Sequence, residues 1–290
     1  MTDWFPLPYY CSYEERCSNQ NCCIHSAINK NIVEQWNDYC SNCPFGNNNI
    51  GIFLVVAGNP KKYLFSKNFS QKKEYIFHCK QQSDAEYAMQ YVNSNAENFC
   101  FSWGLIENFA FLEKFSNLKY LRFSSSKVTH LSWDLTKTSK LEYLSIEGKH
   151  LSDLSGLEKA ENLHVFEFTI ATSRTDRQEI KSLEPLSHLF NLESVLVQGA
   201  RLQDANIEHL ISIPNLKELY VSPDTYSIAD FAKFEAKKFK INETYGCYFK
   251  DEEYFWKYGN DSNPMRLKLD KQEKIDEYLK QYTLLMEKYQ

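Results

Sequence analysis

The sequence predicts an α/β solenoid that is built from about six repeats and capped at both ends, and three observations support this prediction. A unit recurs every 22 to 29 residues between positions 96 and 222, and its apolar first residues are Ala96, Leu118, Leu141, Leu163, Leu192 and Leu216. Each unit places two further apolar residues three and five positions on, as at Leu144 and Ile146. In four units an Asn precedes the first Leu. Because no unit can bury its apolar face alone, we expect the units to stack into a parallel strand ladder around one core.

The spacing resembles that of a known family. Apolar residues stand at offsets 0, 3 and 5, and four units have another at offset 10, namely Ile106, Val128, Leu151 and Leu202. This pattern resembles the leucine-rich repeat, L-x-x-L-x-L-x-x-N-x-L. The resemblance implies one short strand per repeat and an open concave face of a kind that commonly binds proteins.

The repeats depart from the family pattern in two respects. The position that holds Asn in the pattern is occupied by Gly104, Ser126, Lys149, Ala171, Ala200 and Asp224, so the turns there must satisfy their backbone groups by other means. The unit that begins at Leu163 is 29 residues long, and its extra residues fall in the polar stretch 171–178. That stretch is either a functional loop held by a rigid scaffold or a tolerated surface insertion.

Composition and periodicity divide the chain into four regions. We expect a Cys-rich, metal-binding module over 1–48, an N-terminal α/β cap over 49–95, the repeats over 96–222, and a C-terminal aromatic cap with an amphipathic helix over 223–290. Apolar periodicity predicts helices over 83–93, 227–239 and 270–289, and Ser83 is the expected N-cap of the first. Caps are expected because a solenoid with an open apolar end aggregates.

Six of the nine cysteines lie in the first region, and they are candidate metal ligands. The Cys40-x-x-Cys43 spacing lets two thiolates of one tight turn reach the same ion. The candidate ligands are Cys17, Cys22, Cys23, Cys40 and Cys43, with His25 as an alternative to Cys17. Zinc is the expected metal, and an iron–sulfur cluster is the alternative. Disulfides in an exported protein, or thiols without a ligand, are two further interpretations of the same pattern.

Strand alternation predicts which side chains face the concave side. Offsets 2, 4 and 6 of the units hold the predicted binding residues Tyr120, Arg122, Tyr143, Glu147, Glu167, Glu218 and Tyr220. Tyr and Arg are the types that dominate interface hot spots, and the glutamates suit a basic partner. The alternative is that these residues are ordinary strand residues, since Tyr favours strands in any case.

Composition also bears on the function classes. A formal net charge of −5 argues against nucleic acid as a partner. The longest apolar run, 50–58, is too short to span a membrane, and the first residues lack the features of a signal peptide, so we expect a cytoplasmic protein. No phosphate-binding Gly-rich loop, zinc-protease motif or nucleophile elbow occurs in the sequence. We therefore expect no catalytic residues and no enzyme activity.

The leading functional prediction is a scaffold that recognises one protein partner through its concave face. By analogy, free-standing bacterial repeat proteins of this kind include immunity proteins and adaptors. Two alternatives are a metal-dependent or iron–sulfur-dependent redox sensor or enzyme that the repeats target, and an exported adhesin-like protein with disulfides.

Overall fold

We describe the protein from a computed structural model. It describes residues 50–56, 62–65, 68–125, 127–170, 178–239, 241, 248–250, 253–257, 259–260 and 266–290. The predicted Cys-rich module, with its five candidate ligands and its zinc or iron–sulfur group, lies outside the described residues. Positions 171–177 of the predicted insertion also lie outside them.

Within the described residues, nine strands form one sheet, and its strand order is β11-β9-β7-β6-β5-β4-β3-β1-β2. These strands are β1 (Ile50–Val56), β2 (Lys62–Phe65), β3 (Glu74–His78), β4 (Asn98–Gly104), β5 (Tyr120–Ser125), β6 (Tyr143–Gly148), β7 (Val165–Thr169), β9 (Ser194–Gln198) and β11 (Glu218–Val221). Neighbouring strands are parallel, except for the antiparallel pair β1–β2. The strand ladder confirms the predicted leucine-rich repeat solenoid.

Short helical segments connect the strands on the other side of each repeat. In the described part of the chain, five of these are 3-10 helices, at Phe69–Gln71, Ala110–Lys114, Leu135–Thr138, Leu157–Lys159 and Glu184–His188. The α-helices among the described residues are α1 (Gln82–Ala88), α2 (Glu208–Ile211), α3 (Ile228–Lys237) and α4 (Gln272–Tyr289). None of the described helices is long and apolar enough to cross a membrane.

The core is the stack of apolar positions that the repeat pattern predicts. The residues at offsets 0, 3 and 5 of all six units are at most 7 % exposed. Equal offsets stand opposite each other in neighbouring strands, so that Leu144 pairs in register with Phe166 and Phe166 with Val195. Each strand therefore buries its apolar residues against the two repeats beside it.

The ladder continues on the N-terminal side of the first predicted unit. Tyr75 and Phe77 of β3 stand in register with Phe99 and Phe101 of β4 and are fully buried. Phe77 and Phe101 stack with their ring centroids 4.6 Å apart. The sheet therefore continues without a break across position 95, the predicted boundary between the N-terminal cap and the repeats. The division of the chain into four regions stays a prediction.

The Asn residues that lead into the repeats form a ladder of their own. Asn162 donates its side-chain N–H to the backbone oxygen of Ser139 at 2.7 Å, Asn191 to that of Glu161 at 2.9 Å, and Asn215 to that of Phe190 at 2.7 Å. Each acceptor lies in the equivalent turn of the preceding repeat. This side-chain ladder joins successive turns on the side where the strands begin.

On the side where the strands end, successive repeats are joined by backbone hydrogen bonds instead of Asn side chains. The strand β8 (Gln178–Ser182) pairs in parallel with β10 (Ala200–Asp204), forming a second sheet of two strands. The backbone N–H of Lys181 donates to the Ser152 oxygen at 2.9 Å, and the N–H of Ser152 donates to the Thr129 oxygen at 3.0 Å. Backbone hydrogen bonds therefore join these successive turns. Gln178, the last residue of the predicted insertion, is the first residue of β8.

The first helix differs from its prediction at both ends. It begins after Gln81, not at Ser83, and it ends at Ala88. The reason is that the buried Asp84 carboxylate accepts the backbone N–H groups of Lys80 and Gln81, at 3.0 and 3.1 Å, and thereby fixes a capping box.

The C-terminal region contacts the end of the ladder, where Nζ of Lys238 donates to the backbone oxygen of Ile213 at 2.6 Å. Ser227, the first residue of the predicted helix, is the N-cap of α3, and its side chain forms a capping box with Asp230. Helix α3 packs against α4. Three short antiparallel strands, β12 (Tyr248–Lys250), β13 (Tyr254–Lys257) and β14 (Arg266–Lys268), lie between the two helices in the chain. The Phe255 ring of β13 contacts the Tyr278 ring of α4 edge-on at 5.9 Å.

We predict that Asn162→Ala lowers the free energy of unfolding by about 1 kcal/mol, because the exposed carbonyl of Ser139 loses one protein hydrogen bond. Urea unfolding with an unchanged slope would measure this loss. The control is Glu161→Ala, which truncates an exposed neighbour in the same turn and should change stability by less than about 0.5 kcal/mol. Equal losses in the two variants would contradict a role for the Asn ladder.

Candidate functional site

The candidate site lies on the open face of the ladder, which we define as the side of the nine-stranded sheet opposite the core. Strand register sets two rows of side chains across this face. One row runs through Tyr120, Tyr143, Val165, Ser194 and Glu218, and the next through Arg122, Ser145, Glu167, Leu196 and Tyr220. The predicted binding residues therefore share one face. These residues differ in how far their side chains are exposed to solvent.

The two tyrosines predicted as hot spots are buried. Tyr120 is 5 % exposed and Tyr143 is 3 % exposed. Their rings stack almost in parallel, with centroids 4.3 Å apart and planes 6° apart, so each ring covers a face of the other. The Tyr143 hydroxyl donates to Oε2 of Glu167 at 2.5 Å. In this structure Tyr143 holds a carboxylate in place, and a direct contact with a partner stays a prediction for both tyrosines.

A cleft of about 320 Å³ opens on the same face towards the C-terminal end of the ladder. It spans β7, β9 and β11 and the residues just before those strands, together with Tyr143 of β6. Its lining residues are Tyr143, His164, Val165, Glu167, Glu193, Ser194, Leu196, Lys217, Glu218 and Tyr220. Four predicted residues, Tyr143, Glu167, Glu218 and Tyr220, therefore meet at one concave site.

The lining of the cleft is acidic. It contains three glutamates and one lysine, which gives a formal charge of −2 with His164 neutral. Lys217 lies 2.9 Å from Glu193 and balances that carboxylate. Glu218 accepts a hydrogen bond from the Ser194 hydroxyl at 3.2 Å. Glu167 accepts a hydrogen bond from the Tyr143 hydroxyl.

The environment of Tyr220 reflects this charge. The pKa of the Tyr220 phenol is raised above its usual value, first by burial and then by the negative charge of Glu218. The Tyr220 hydroxyl therefore keeps its hydrogen up to a higher pH than an exposed tyrosine does.

Three predicted binding residues lie outside the cleft lining, namely the buried Tyr120 together with Arg122 and Glu147. Arg122 is half-buried on β5, where its charge opposes the rise that burial causes in the pKa of the Cys100 thiol. Glu147 is half-buried near the end of β6. Both lie on the open face, but on earlier strands than those that form the cleft.

Six residues of the cleft lining were not among the predicted binding residues. Val165, Ser194 and Leu196 lie at the offsets that strand alternation places on this face. The other three are His164, Glu193 and Lys217. They stand one position after the start of their units, where Glu97, Lys119 and Glu142 stand in the earlier ones. Glu97 accepts both Lys73 at 2.6 Å and Lys119 at 3.2 Å, so this position forms a row of opposite charges along the ladder. The alternation of Glu and Lys at one offset is the signal that could have identified it.

In the part of the chain that the structure describes, no group of three or more His, Cys, Asp or Glu side chains is arranged to hold a metal ion.

Comparison with known proteins finds similarity among solved structures. No protein-family model and no curated protein matches the sequence. Internalin C2 of Listeria monocytogenes is similar over 53 % of this chain and 65 % of its own, with 15 % identity and a TM-score of 0.36. An internalin, InlF, of the same organism is similar over 55 % of this chain and 51 % of its own, with 14 % identity and a TM-score of 0.32. The chain thus spans less than two thirds of either structure.

We predict that Glu218→Gln lowers the pKa of Tyr220 towards its usual value, because it removes a neighbouring negative charge. A part of the rise should persist, since burial is the larger cause. The measurement is a pH titration of tyrosine labelled with ¹³C at Cζ. In Glu147→Gln, which changes a glutamate on β6, the titration of Tyr220 should match the unaltered protein, and equal shifts in both variants would contradict the assignment.

Proposed function

We propose that the protein is a non-enzymatic scaffold that binds one protein partner, and that the cleft over β7, β9 and β11 is the central contact. The observation that carries this proposal is the excess negative charge at one concave point of the open sheet face. Concave surfaces of stacked repeats suit protein partners because they are extended and rigid.

The composition of the cleft supports a basic partner. Leu196 and Val165 supply apolar surface, and the lining contains three glutamates but one lysine. A partner with complementary positive charge gains both association rate and specificity from such a surface. The size of the cleft suits one or two side chains, so the rest of the partner would lie on neighbouring strands of the open face.

We predict that a photoreactive residue at position 196 forms cross-links with one discrete protein in cells that express this chain. Mass spectrometry would identify the cross-linked segment. The control replaces Leu284, a 57 % exposed residue of α4, with the same photoreactive residue. The same products from both positions, or none from position 196, would contradict the proposed site.

The contribution of the cleft's charge to binding is measured with the partner protein that cross-linking identifies. The double variant Glu167→Lys, Glu218→Lys should weaken its binding by about tenfold or more. The control carries Glu273→Lys and Glu277→Lys, which make the same charge change on exposed positions of α4.

The immunity or adaptor role, the bacterial origin and the cytoplasmic location are further proposals that the identity of the partner would test.

The metal prediction requires a separate measurement, because its residues lie outside those described. We predict about one zinc, or a few iron atoms, per chain in protein purified under anaerobic conditions. Elemental analysis would measure this, and Cys40→Ser with Cys43→Ser should abolish the binding. Absence of metal together with few free thiols would contradict the prediction and favour disulfides.

A further inference from the structure

At its N-terminal end the described core finishes in a layer of aromatic rings. Phe65 of β2 stands in register with the buried Phe53 of β1, so the Phe65 ring lies on the core side of the sheet's last strand, and Tyr63 shares that side. The Tyr87 ring of α1 stacks on Tyr63, with the ring centroids 4.5 Å apart. Tyr91, which follows α1, contacts the Phe65 ring edge-on at 5.0 Å. We call Tyr63, Phe65, Tyr87 and Tyr91 the N-terminal ring cluster.

The two ends of the ladder differ in how completely the described residues cover the core. At the C-terminal end, Ile228, Phe231 and Phe234 of α3 are at most 5 % exposed. At the N-terminal end, Tyr91 is 44 % exposed, and the other three rings of the cluster are half-buried. Contiguous exposed aromatic surface marks a place where a further segment or molecule binds, and an uncovered end of a repeat stack favours aggregation.

The path of the chain indicates which segment is closest to this surface. Residues 1–49, which lie outside the described part of the chain, come directly before β1, and β1 is the neighbour of the last strand β2. Since adjacent strands lie about 5 Å apart, the segment joins the sheet one strand away from the cluster. A tethered segment samples such a surface at an effective concentration on the order of millimolar, which favours it over a separate molecule.

The composition of the segment complements this end of the ladder. It contains eight aromatic residues, among them Trp4 and Trp36, and aromatic rings pair favourably with one another. Five of its residues are acidic and two are basic, whereas positions 61–73 hold five lysines and no acidic residue. One of these lysines, Lys73, is paired with Glu97. The opposite sign of the two charges favours their association.

We propose that residues 1–49 bind the N-terminal ring cluster of the same chain and cover this end of the core. Aromatic side chains of the segment contact Tyr91 and Phe65. The inference does not depend on the function proposed for the cleft, which lies towards the other end of the ladder.

The test places a photoreactive residue at position 91 of the complete chain. p-Benzoylphenylalanine replaces Tyr91 and keeps an aromatic ring at this exposed position. Unlabelled and ¹⁵N-labelled chains are mixed and incubated before irradiation, and mass spectrometry identifies the cross-linked peptides. We expect position 91 to cross-link to residues 1–49, with both peptides carrying the same isotope label. The same photoreactive residue in place of Leu284, which is 57 % exposed on α4, serves as the control and should not cross-link to this segment.

Three outcomes would overturn the proposal. Cross-links between an unlabelled and a labelled peptide would show that a second copy of the chain covers the cluster. Cross-links confined to residues 50–95 would show that the segment does not reach it. Equal yields from positions 91 and 284 would show that the contact is not specific.

Hydrogen exchange of the complete chain provides an independent measurement. Tyr91→Asp places a charge within the ring cluster, so we expect amides of residues 1–49 to exchange faster than in the unaltered protein. Amides of β5, β6 and β7 should keep their exchange rates, which shows that the ladder stays folded. Leu284→Asp makes the same change on α4 and should leave residues 1–49 unaffected. Unchanged exchange of residues 1–49 in Tyr91→Asp would contradict the proposal.

Discussion

The structure depends on the burial of apolar residues between neighbouring repeats. Leu144 and Ile146 are fully buried on β6, and the residues that bury them belong to the core shared with the adjacent strands. A single repeat has no second layer of its own, so its stability comes from its neighbours. This constraint commits one face of the sheet to the core and leaves the other face available for function.

Polar contacts between repeats help to position the side chains of the open face. The asparagines at 162, 191 and 215 join successive turns where the strands begin, and the row of Glu and Lys one residue beyond their leucines lies beside them. Lys217 and Glu193 belong both to that row and to the rim of the cleft. The contacts that hold the repeats in register therefore also place the charges of the candidate site.

Much of the fold could be predicted from the sequence, because burial at offsets 0, 3 and 5 is a periodic property. Ser227 was also predictable as a helix cap, since its capping box with Asp230 is local. The start of α1 was not, because its N-cap is Gln81 and the Asp84 carboxylate that completes the capping box also accepts a hydrogen bond from Tyr63 of β2. In the candidate site, alternation predicted the face of Tyr120 and Tyr143 but not their burial, which depends on stacking across strands. The alternation of side chains applies only within a strand, so it could not identify His164, which precedes β7.

The central claim is that the cleft carboxylates face the partner, and carboxyl footprinting of the isolated complex tests it most directly. Glu167 and Glu218 are coupled to glycine ethyl ester by a carbodiimide, with and without the partner identified by cross-linking, and the labelled peptides are quantified. We predict that the partner protects both glutamates and leaves Glu273 and Glu277 of α4 unchanged. Equal labelling of Glu167 and Glu218 in the free and bound protein would contradict the account.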